Sequence, residues 1–359
     1  MLTRASLFVA LFALTACGSS TATTTGGGGG NGGAPGTTST GTGTGGASNT
    51  TTGTGGSELT GESFSVTFDA VTVQPGEEST RCVLKRLPNP DMFHAGKIHN
   101  VLGPGSHHLI VYKTADTEEK PEPYACQPFA DLLTPEKGSP LMITQKKDDT
   151  LEMPAGVALK IEKTQMVRLE MHYINTTAAP LDVTATSTFY AMKESDVQNE
   201  ADFLFVGSPD INVPPQGTQT LGPVYTPLTA ELKGAKFFGF TGHEHHWGTG
   251  VTVAVTTGKT GSDQMVYDPP SWTWDEPPTV YHNPPVEVPD GGGFRFTCTY
   301  ENKGTTTAKF GESANDEMCF FWTYYYPSKG AFVCAHTDQF LNGVDLCCPG
   351  SPFCSQLFK

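Results

Sequence analysis

After its first 17 residues, the 359-residue sequence has no run approaching 18 apolar residues, so it predicts no transmembrane helix. Basic residues are scarce, with 22 Lys and Arg against 37 Asp and Glu. The resulting net charge of −15 argues against nucleic acid and anionic lipid as partners, because both are negatively charged. The sequence also lacks helical periodicity, internal repeats, a phosphate-binding loop and a nucleophile–base triad, which excludes the classes of protein that depend on them.

The first 17 residues have the pattern of a targeting segment. Arg4 supplies a positive charge, Ala5 to Leu14 form a short apolar stretch, and small residues precede Cys17. This arrangement resembles the lipobox of bacterial lipoproteins. The resemblance implies that Cys17 becomes a diacylated N-terminus held in a lipid membrane of the bacterial cell envelope, and Gly18 implies export to the outer membrane. An ordinary secretory signal with an incidental cysteine is the alternative.

The rest of the sequence divides by composition. Residues 18–57 are almost entirely Gly, Thr and Ser and predict a flexible tether. The remaining residues, about 300, are enough for two hydrophobic cores. They are rich in Val, Thr, Phe and Tyr with frequent Pro and Gly turns, which predicts an all-β fold of sandwiches or barrels. A polar break at 175–180 favours two domains, residues 58–178 and residues 179–359, the second with a Cys-rich tail.

Strand periodicity predicts where several side chains point. Val167, Leu169, Met171 and Tyr173 alternate along one strand, so His172 points away from their apolar face, toward solvent or a cleft.

The same alternation separates Met318 from Cys319. Cys319 and Cys298 could therefore form a disulfide inside a core while Met318 faces a site. Asp316 and Glu317, just before, are expected to be charges of a loop.

An H-x-H pair is the first candidate metal motif. His243 and His245 are two residues apart, so on a strand both imidazoles leave the same face and can converge on one ion. Glu244 points the other way, and His246 is expected at the surface or in support of the site. Met318 could add a thioether, which suits copper(I) and matches zinc poorly. Core packing is the alternative for this methionine.

A second pair, His107-His108, is less obvious as a metal motif because adjacent strand residues face opposite sides. Both imidazoles could bind one ion if the backbone bends, and Gly103-Pro-Gly-Ser106 just upstream favours such a bend. The alternative is one buried and one solvated histidine.

Taken in order, four motifs resemble the copper type II, ascorbate-dependent monooxygenases, the family of peptidylglycine α-hydroxylating monooxygenase and dopamine β-hydroxylase. The motifs are Ser106-His-His-Leu-Ile-Val-Tyr112, Leu169-Glu-Met-His-Tyr173, Gly242-His-Glu-His-His-Trp247, and Asp316-Glu-Met-Cys319 followed by Tyr324-Tyr-Tyr-Pro327. Their order and approximate spacing agree with the family across nearly all of residues 63–340.

The resemblance implies two jelly-roll-like antiparallel β-sandwich domains facing across a cleft, with one copper on each. The electron-transfer copper is matched by His107, His108 and His172. The copper where dioxygen binds, the implied catalytic centre, is matched by His243, His245 and Met318. The implied reaction uses dioxygen and a one-electron reductant such as ascorbate to hydroxylate a C–H bond.

The resemblance also implies a disulfide pattern. Cys82 with Cys126 and Cys298 with Cys319 match disulfides of the family. Cys334 matches a family cysteine whose partner is missing here, so its partner is expected in the tail, among Cys347, Cys348 and Cys354. The sequence does not choose between these pairings.

The departures from the family concern the substrate. Peptide-amidating members hold a substrate carboxylate with Arg, Asn and Tyr, where this sequence has Thr241, Phe320 and Trp322. A carboxylate would therefore lack a cationic partner. The aromatic side chains of Trp247, Phe320, Trp322 and Tyr324 favour a cleft for a small apolar or aromatic molecule. Packing of the strand is the alternative.

Two other functions remain open at this point. One is a non-catalytic copper-binding lipoprotein of the envelope that buffers or delivers the metal, although storage proteins usually repeat one ligand type. The other is a jelly-roll adhesin or carbohydrate binder, which requires the order of the four motifs to be accidental.

Overall fold

The computed structural model describes residues 58–126, 138–311, 313, 316–339 and 343–349. All of these belong to one compact unit, Gly53–Lys359. The predicted targeting segment, the lipidation site at Cys17, the 18–57 tether and Cys354 lie outside the described residues. No helix in the described ranges is long and apolar enough to cross a membrane.

The first part of the chain forms two facing sheets. Its strands are β1 (Leu59–Val73), β2 (Glu78–Arg86), β3 (Phe93–Leu102), β4 (Ser106–Thr114), β5 (Lys120–Ala125), β6 (Gly138–Thr144), β7 (Asp148–Glu152), β8 (Val157–Ile161), β9 (Met166–Ile174), β10 (Leu181–Met192) and β11 (Asn199–Glu200). Sheet 1 has the order β1-β10-β3-β8-β11, with β7 also paired to β3. Sheet 2 has the order β5-β2-β9-β4-β6. A short 3₁₀ helix, Glu194–Asp196, lies between β10 and β11.

The second part repeats this plan with another pair of sheets. Its strands are β12 (Asp202–Gly207), β13 (Asn212–Val213), β14 (Gly217–Pro227), β15 (Lys236–His243), β16 (Gly248–Thr256), β17 (Asp263–Tyr267), β18 (Val286–Glu287), β19 (Gly293–Asn302), β20 (Ala308–Lys309), β21 (Phe320–Tyr326), β22 (Phe332–Thr337) and β23 (Val344–Cys348). Sheet 3 has the order β18-β15-β21-β12-β22-β23, and sheet 4 the order β14-β19-β16-β17. Strands β13 and β20 form a small separate pair, and a 3₁₀ helix spans Ala230–Leu232.

The predicted all-β fold is confirmed. Pairing within the sheets is antiparallel except for two short parallel contacts, β11 with β8 and β12 with β22. The residue types explain the strands: along β19, Phe294, Phe296, Cys298 and Tyr300 alternate inward, and this apolar face fills a core while the intervening residues are more exposed.

Sheet 3 lies between two hydrophobic cores, because both of its faces are apolar. On β21, Phe320, Trp322 and Tyr324 join the core that includes sheets 1 and 2. Phe321 and Tyr325, on the opposite face, join the core that includes sheet 4.

This arrangement confirms the predicted alternation at the start of β21. Met318 belongs to the core shared with sheets 1 and 2, and Cys319 belongs to the other core, where it forms a disulfide with Cys298. Phe320 packs closely over Gly207, where a Cβ atom would clash with the ring, so glycine is needed at that position.

The remaining disulfides also follow the sequence. Cys82 pairs with Cys126 as the resemblance implied. Cys334 pairs with Cys347, one of the three partners left open, and joins β22 to its neighbour β23.

Strand pairing shows which sheet the residues after the expected domain boundary belong to. The sequence favoured a boundary after residue 178, and that two-domain division stays a prediction. Strand β10 pairs with β1 and β3, so residues 181–192 belong with sheet 1 rather than with the second pair of sheets.

Candidate metal centres

His107, His108 and His172 come together on sheet 2. His108 on β4 is directly opposite His172 on the neighbouring β9. The register shifts by one residue between Ser106 and His108, so His107 is the extra residue of a β-bulge. The bulge lets two consecutive histidines turn to one side of the strand, as the upstream Gly-Pro-Gly segment led us to expect.

The geometry of this trio is that of a ligand set. One nitrogen from each of His107, His108 and His172 lies within 4.8 Å of the others. The Nδ1 atoms of His107 and His108 are only 3.2 Å apart. His108 and His172 are buried, whereas His107 is partly exposed at the edge.

The environment disfavours protonation of His107 and His108. Burial, together with repulsion from His172 and His245 when those rings are protonated, lowers the pKa of His107 to about 4. Burial and the neighbouring histidines hold the pKa of His108 well below its usual range. Neutral imidazole is the form that binds a metal ion.

Glu78, which the sequence did not single out, completes this site. His172 Nε2 donates a hydrogen bond to Glu78 Oε1 at 2.9 Å. Glu78 is on β2, two residues before Thr80, the residue opposite His172. The carboxylate therefore orients the ring and leaves Nδ1 for a metal, the carboxylate–histidine arrangement common at metal sites. Only the pairing of β2 with β9 reveals it.

The second candidate site is at the end of β15 in sheet 3. His243 is the last residue of the strand and His245 lies in the turn that follows. Their ring centroids are 5.2 Å apart, and both side chains are buried. His243 is opposite Phe320, the first residue of β21. Met318 comes two residues before Phe320, so it lies at the same end of sheet 3 as His243.

Glu317 connects these pieces, and the expectation that it is a loop charge is wrong. Its side chain is fully buried and accepts three main-chain hydrogen bonds. The amides of His245 (3.0 Å) and Met318 (3.3 Å) donate to the same oxygen, Oε2, and that of Trp247 donates to Oε1 (2.7 Å). The amides attract the carboxylate and compensate for its burial, although burial still raises its pKa to about 7. Glu317 thus holds the H-x-H turn against the start of β21.

The tautomers of the second pair are set by their neighbours. His245 Nδ1 lies 3.2 Å from the main-chain oxygen of Asp316, which can only accept, so Nδ1 carries the proton and Nε2 is left for a metal. Burial lowers the pKa of His245 to about 4 and holds that of His243 well below its usual range. Both rings are therefore neutral ligands at neutral pH.

Glu244 faces away from the histidines, as predicted, but it is buried rather than solvated. Its Oε2 accepts a hydrogen bond from the amide of Gly250 at 3.1 Å, and burial raises its pKa to about 10. A Cβ atom at Gly248 would lie 2.4 Å from Glu244, so the turn after His245 requires glycine there. The neutral carboxyl supports the turn and has no direct part in ligation.

The two sites lie close enough to influence each other. Protonation of His245 would lower the pKa of His107, and protonation of His107 would lower that of His243. Two further residues missed in the sequence stand between them, Gln145 after β6 and Trp274 in a Pro-rich segment. The ring of Trp274 stacks on that of His107 with centroids 5.3 Å apart and an angle of 27°.

The residues predicted to contact substrate are placed as follows. Phe320, Trp322 and Tyr324 are buried in the shared core, which agrees with the packing alternative. Trp322 is nevertheless near the site, with its ring 6.1 Å from that of His243. Trp247 is partly exposed and stacks on His246 at 3.7 Å. A role in substrate binding stays a prediction for all four.

A comparison with protein families agrees with the second site. Residues 199–340 match the family described as copper type II ascorbate-dependent monooxygenase, C-terminal domain. The match includes His243, His245 and Met318, whereas the first histidine trio lies before it.

Similarity to solved structures is weak. The major capsid protein P2 from bacteriophage PM2 is 9% identical with a TM-score of 0.34, covering 75% of this chain and 99% of that chain. A structure of infectious bursal disease virus, Gx strain, is 8% identical with a TM-score of 0.20, covering 76% and 74%. Similarity at this level does not extend to a shared site or activity.

Proposed function

Residues 199–340 belong to the copper type II ascorbate-dependent monooxygenase family as its C-terminal domain, and on this premise we propose that the chain is a monooxygenase with two copper sites. The proposed reaction hydroxylates a C–H bond of a small apolar or aromatic molecule, using dioxygen and a one-electron reductant such as ascorbate. The observation that carries the proposal is the presence, close to one another, of two unlike sets of candidate metal ligands: a trio of histidines, and an H-x-H pair whose turn is tied to Met318 by Glu317.

The first set fits copper on the chemistry of its donors. His107, His108 and His172 offer three imidazoles, and the 3.2 Å approach of two ring nitrogens would be repulsive without a proton or a cation to share. A cluster of three imidazoles is suited to copper in either oxidation state. Glu78 supports this assignment because it makes His172 a stronger ligand.

The second set combines two imidazoles with a thioether. His243 and His245 would bind through Nε2, and Met318, held beside them through Glu317, would add its sulfur. A thioether favours copper(I) over zinc and over copper(II). Copper bound in the two sets would supply one-electron redox chemistry and dioxygen activation.

The chain itself contributes burial, orientation and proton placement. His108, His172, His243, His245 and Met318 are all buried, so water is largely excluded from the ligands. Glu78, Glu317 and the Asp316 carbonyl fix the rings and the turn before any metal binds. Ligands fixed in this way allow a site to bind a metal without rearranging and to hold a substrate in a defined orientation.

The surroundings of the second site favour an apolar substrate. Trp322 lies beside His243, and Phe320 stacks on Phe205 with centroids 4.7 Å apart. Thr241 replaces the arginine of the amidating enzymes, and its hydroxyl is hydrogen-bonded to Thr279 at 2.8 Å. A substrate carboxylate would therefore have no cationic partner here. An aromatic or aliphatic group would instead contact apolar side chains.

We further propose that the protein acts in the bacterial cell envelope, anchored by lipid at Cys17 and held away from the outer membrane by residues 18–57. Its partners would then be dioxygen, a small-molecule substrate and the membrane lipids, with no nucleic acid. A non-catalytic copper carrier in the same location is the competing function, and it would need no reductant or substrate.

The deciding experiment counts copper per chain after loading and ascorbate reduction, in the wild type, His107→Ala and Met318→Ala. We expect two coppers in the wild type and about one in each variant. Ascorbate-dependent oxygen consumption by the two-copper protein would then favour the enzyme, and its absence would favour the carrier. One copper or none in the wild type would contradict the two-site proposal.

A further inference from the structure

The side chain of Gln145 is hydrogen-bonded both to His243 of the second site and to the main chain of Trp274, whose ring lies against the first site. It follows β6, whose last residue, Thr144, is opposite Leu109 of β4. Since His108 is the residue before Leu109, Gln145 lies beside the first site on sheet 2. The side chain is 8% exposed, so its amide must be hydrogen-bonded within the protein.

The orientation of this amide follows from its partners. Gln145 Nε2 lies 3.2 Å from the main-chain oxygen of Trp274, which can only accept, so the NH₂ group points there. Gln145 Oε1 then faces His243 Nδ1 at 3.1 Å and accepts its proton. His243 is thereby held as the Nδ1–H tautomer, which leaves Nε2 for a metal.

The same amide positions a ring over the first site. By holding the Trp274 carbonyl it fixes the segment whose indole stacks on His107. His107 is the partly exposed residue of the bulge and the least enclosed of its trio, so a ring fixed against it restricts its motion. A continuous series of contacts therefore runs from His243 through Gln145 and Trp274 to His107.

We propose that Gln145 couples the two metal sites, so that metal bound at one raises the affinity of the other. The inference rests on the two sites of the proposed function. A cation on His243 Nε2 makes Nδ1–H a stronger donor, which polarises the amide and strengthens its bond to Trp274. The indole is then held more firmly on His107. Linkage requires the effect to be equal in the reverse direction.

Repulsion between two bound cations opposes this coupling. Removing the amide should therefore leave repulsion alone and make the metals independent or mutually unfavourable. This change of sign separates a coupling residue from one that only stabilises the fold.

The test is competition for copper(I) between the protein and a coloured chelator. Second-site affinity is compared between the wild type, with the first site filled, and His172→Ala. First-site affinity is compared between the wild type and Met318→Ala. For each site we take the ratio of its copper affinity with the other site filled to its affinity with the other site disrupted. We expect the two ratios to agree and to be about fivefold or more. In Gln145→Met, which keeps the volume without the hydrogen bonds, both should fall to one or below.

Gln165→Met is the matched control, because Gln165 also donates from a part-buried amide, to the oxygens of Thr114 and Met166, away from both sites. It should keep the wild-type ratios. Gln145→Asn, too short to reach both partners, serves if the methionine variant is unstable. Nitrogen NMR of the metal-free wild type should show His243 as the Nδ1–H tautomer.

A wild-type ratio of one would overturn the inference, as would an unchanged ratio in a folded Gln145 variant. Two coppers without coupling would overturn only this inference and leave the proposed function standing. Fewer than two coppers in the wild type would overturn both.

Discussion

His172 and Glu78 form a direct hydrogen bond, Nε2 to Oε1 at 2.9 Å, between neighbouring strands of sheet 2. The bond occupies Nε2 of the ring and leaves Nδ1 for a metal. It gives the first site a carboxylate that could not be predicted from the sequence around the histidines. A carboxylate in this position both orients the imidazole and increases its basicity.

We therefore expect Glu78→Gln to weaken copper at the first site by about 10- to 100-fold. The amide can still accept from His172 but carries no charge. Affinity measured by chelator competition in a Met318→Ala background isolates this site. Glu77→Gln is the control, since Glu77 only accepts from the amide of Gln74. An equal loss of affinity at the second site, measured in Glu78→Gln with Met318 intact, would contradict the assignment.

Glu317→Ala should disrupt the second site and spare the first. The change leaves three buried amides without their acceptor, those of His245, Trp247 and Met318. At about 1–3 kcal/mol for each unsatisfied group, we expect a loss of at least 3 kcal/mol in the free energy of unfolding. Chemical denaturation and copper counting measure the two effects. Glu301→Ala, at an exposed position, should change the stability by less than about 0.5 kcal/mol.

Much of the architecture could be predicted from local pattern. Alternation placed Met318 and Cys319 on opposite faces of one strand, and the two lie in different cores. The order of the histidine motifs predicted candidate ligands, and the structure brings one group of them, His107, His108 and His172, together; their role as copper ligands stays a prediction. These features depend on residues close in sequence, for which strand geometry gives a direct rule.

The supporting residues could not be predicted in this way. Glu317 was expected to be a loop charge because carboxylates are rarely buried, and its acceptor role depends on amides 70 and 72 residues away. Glu78, Gln145 and Trp274 likewise act through partners distant in sequence. Such contacts arise from strand pairing and from the packing of sheets, so they cannot be predicted from the periodicity of the sequence.

The metal-free protein should lose stability in acid. Burial is the main cause that lowers the pKa of His107 and His245 from 6.5 to about 4. Between these values each of these histidines takes up a proton in the unfolded chain but not in the folded chain, so its contribution to stability is complete above pH 6.5 and falls progressively toward pH 4. The difference corresponds to about 3 kcal/mol for each histidine. Denaturant unfolding at constant ionic strength across this range measures it.

His107→Gln is the variant that checks the source of this pH dependence. It removes one of the four imidazoles whose pKa is lowered in the folded protein, so the loss of stability between pH 6.5 and 4 should be smaller than in the wild type. The same slope in both proteins would show that the pH dependence arises elsewhere.

Two of the disulfides in the second part of the chain, Cys298–Cys319 and Cys334–Cys347, should differ in their effect on copper. Cys298–Cys319 ties β19 to the residue directly after Met318, and the hydroxyl of Tyr300, on the same strand, donates to the Met318 carbonyl at 2.8 Å. Removing this disulfide by Cys298→Ala with Cys319→Ala frees the segment that positions the thioether. We expect a loss of about 2–4 kcal/mol in stability and a weaker second site, with the first site unchanged.

The matched control removes the other disulfide, Cys334–Cys347, which joins β22 to the edge strand β23. Neither strand carries a predicted ligand, so Cys334→Ala with Cys347→Ala should also lower stability, again by about 2–4 kcal/mol, yet retain both coppers. Copper(I) affinity at 25 °C, well below the unfolding of either variant, separates local loosening from general instability. Equal weakening of the second site in both variants would mean that overall stability, and not the position of Met318, controls copper binding there.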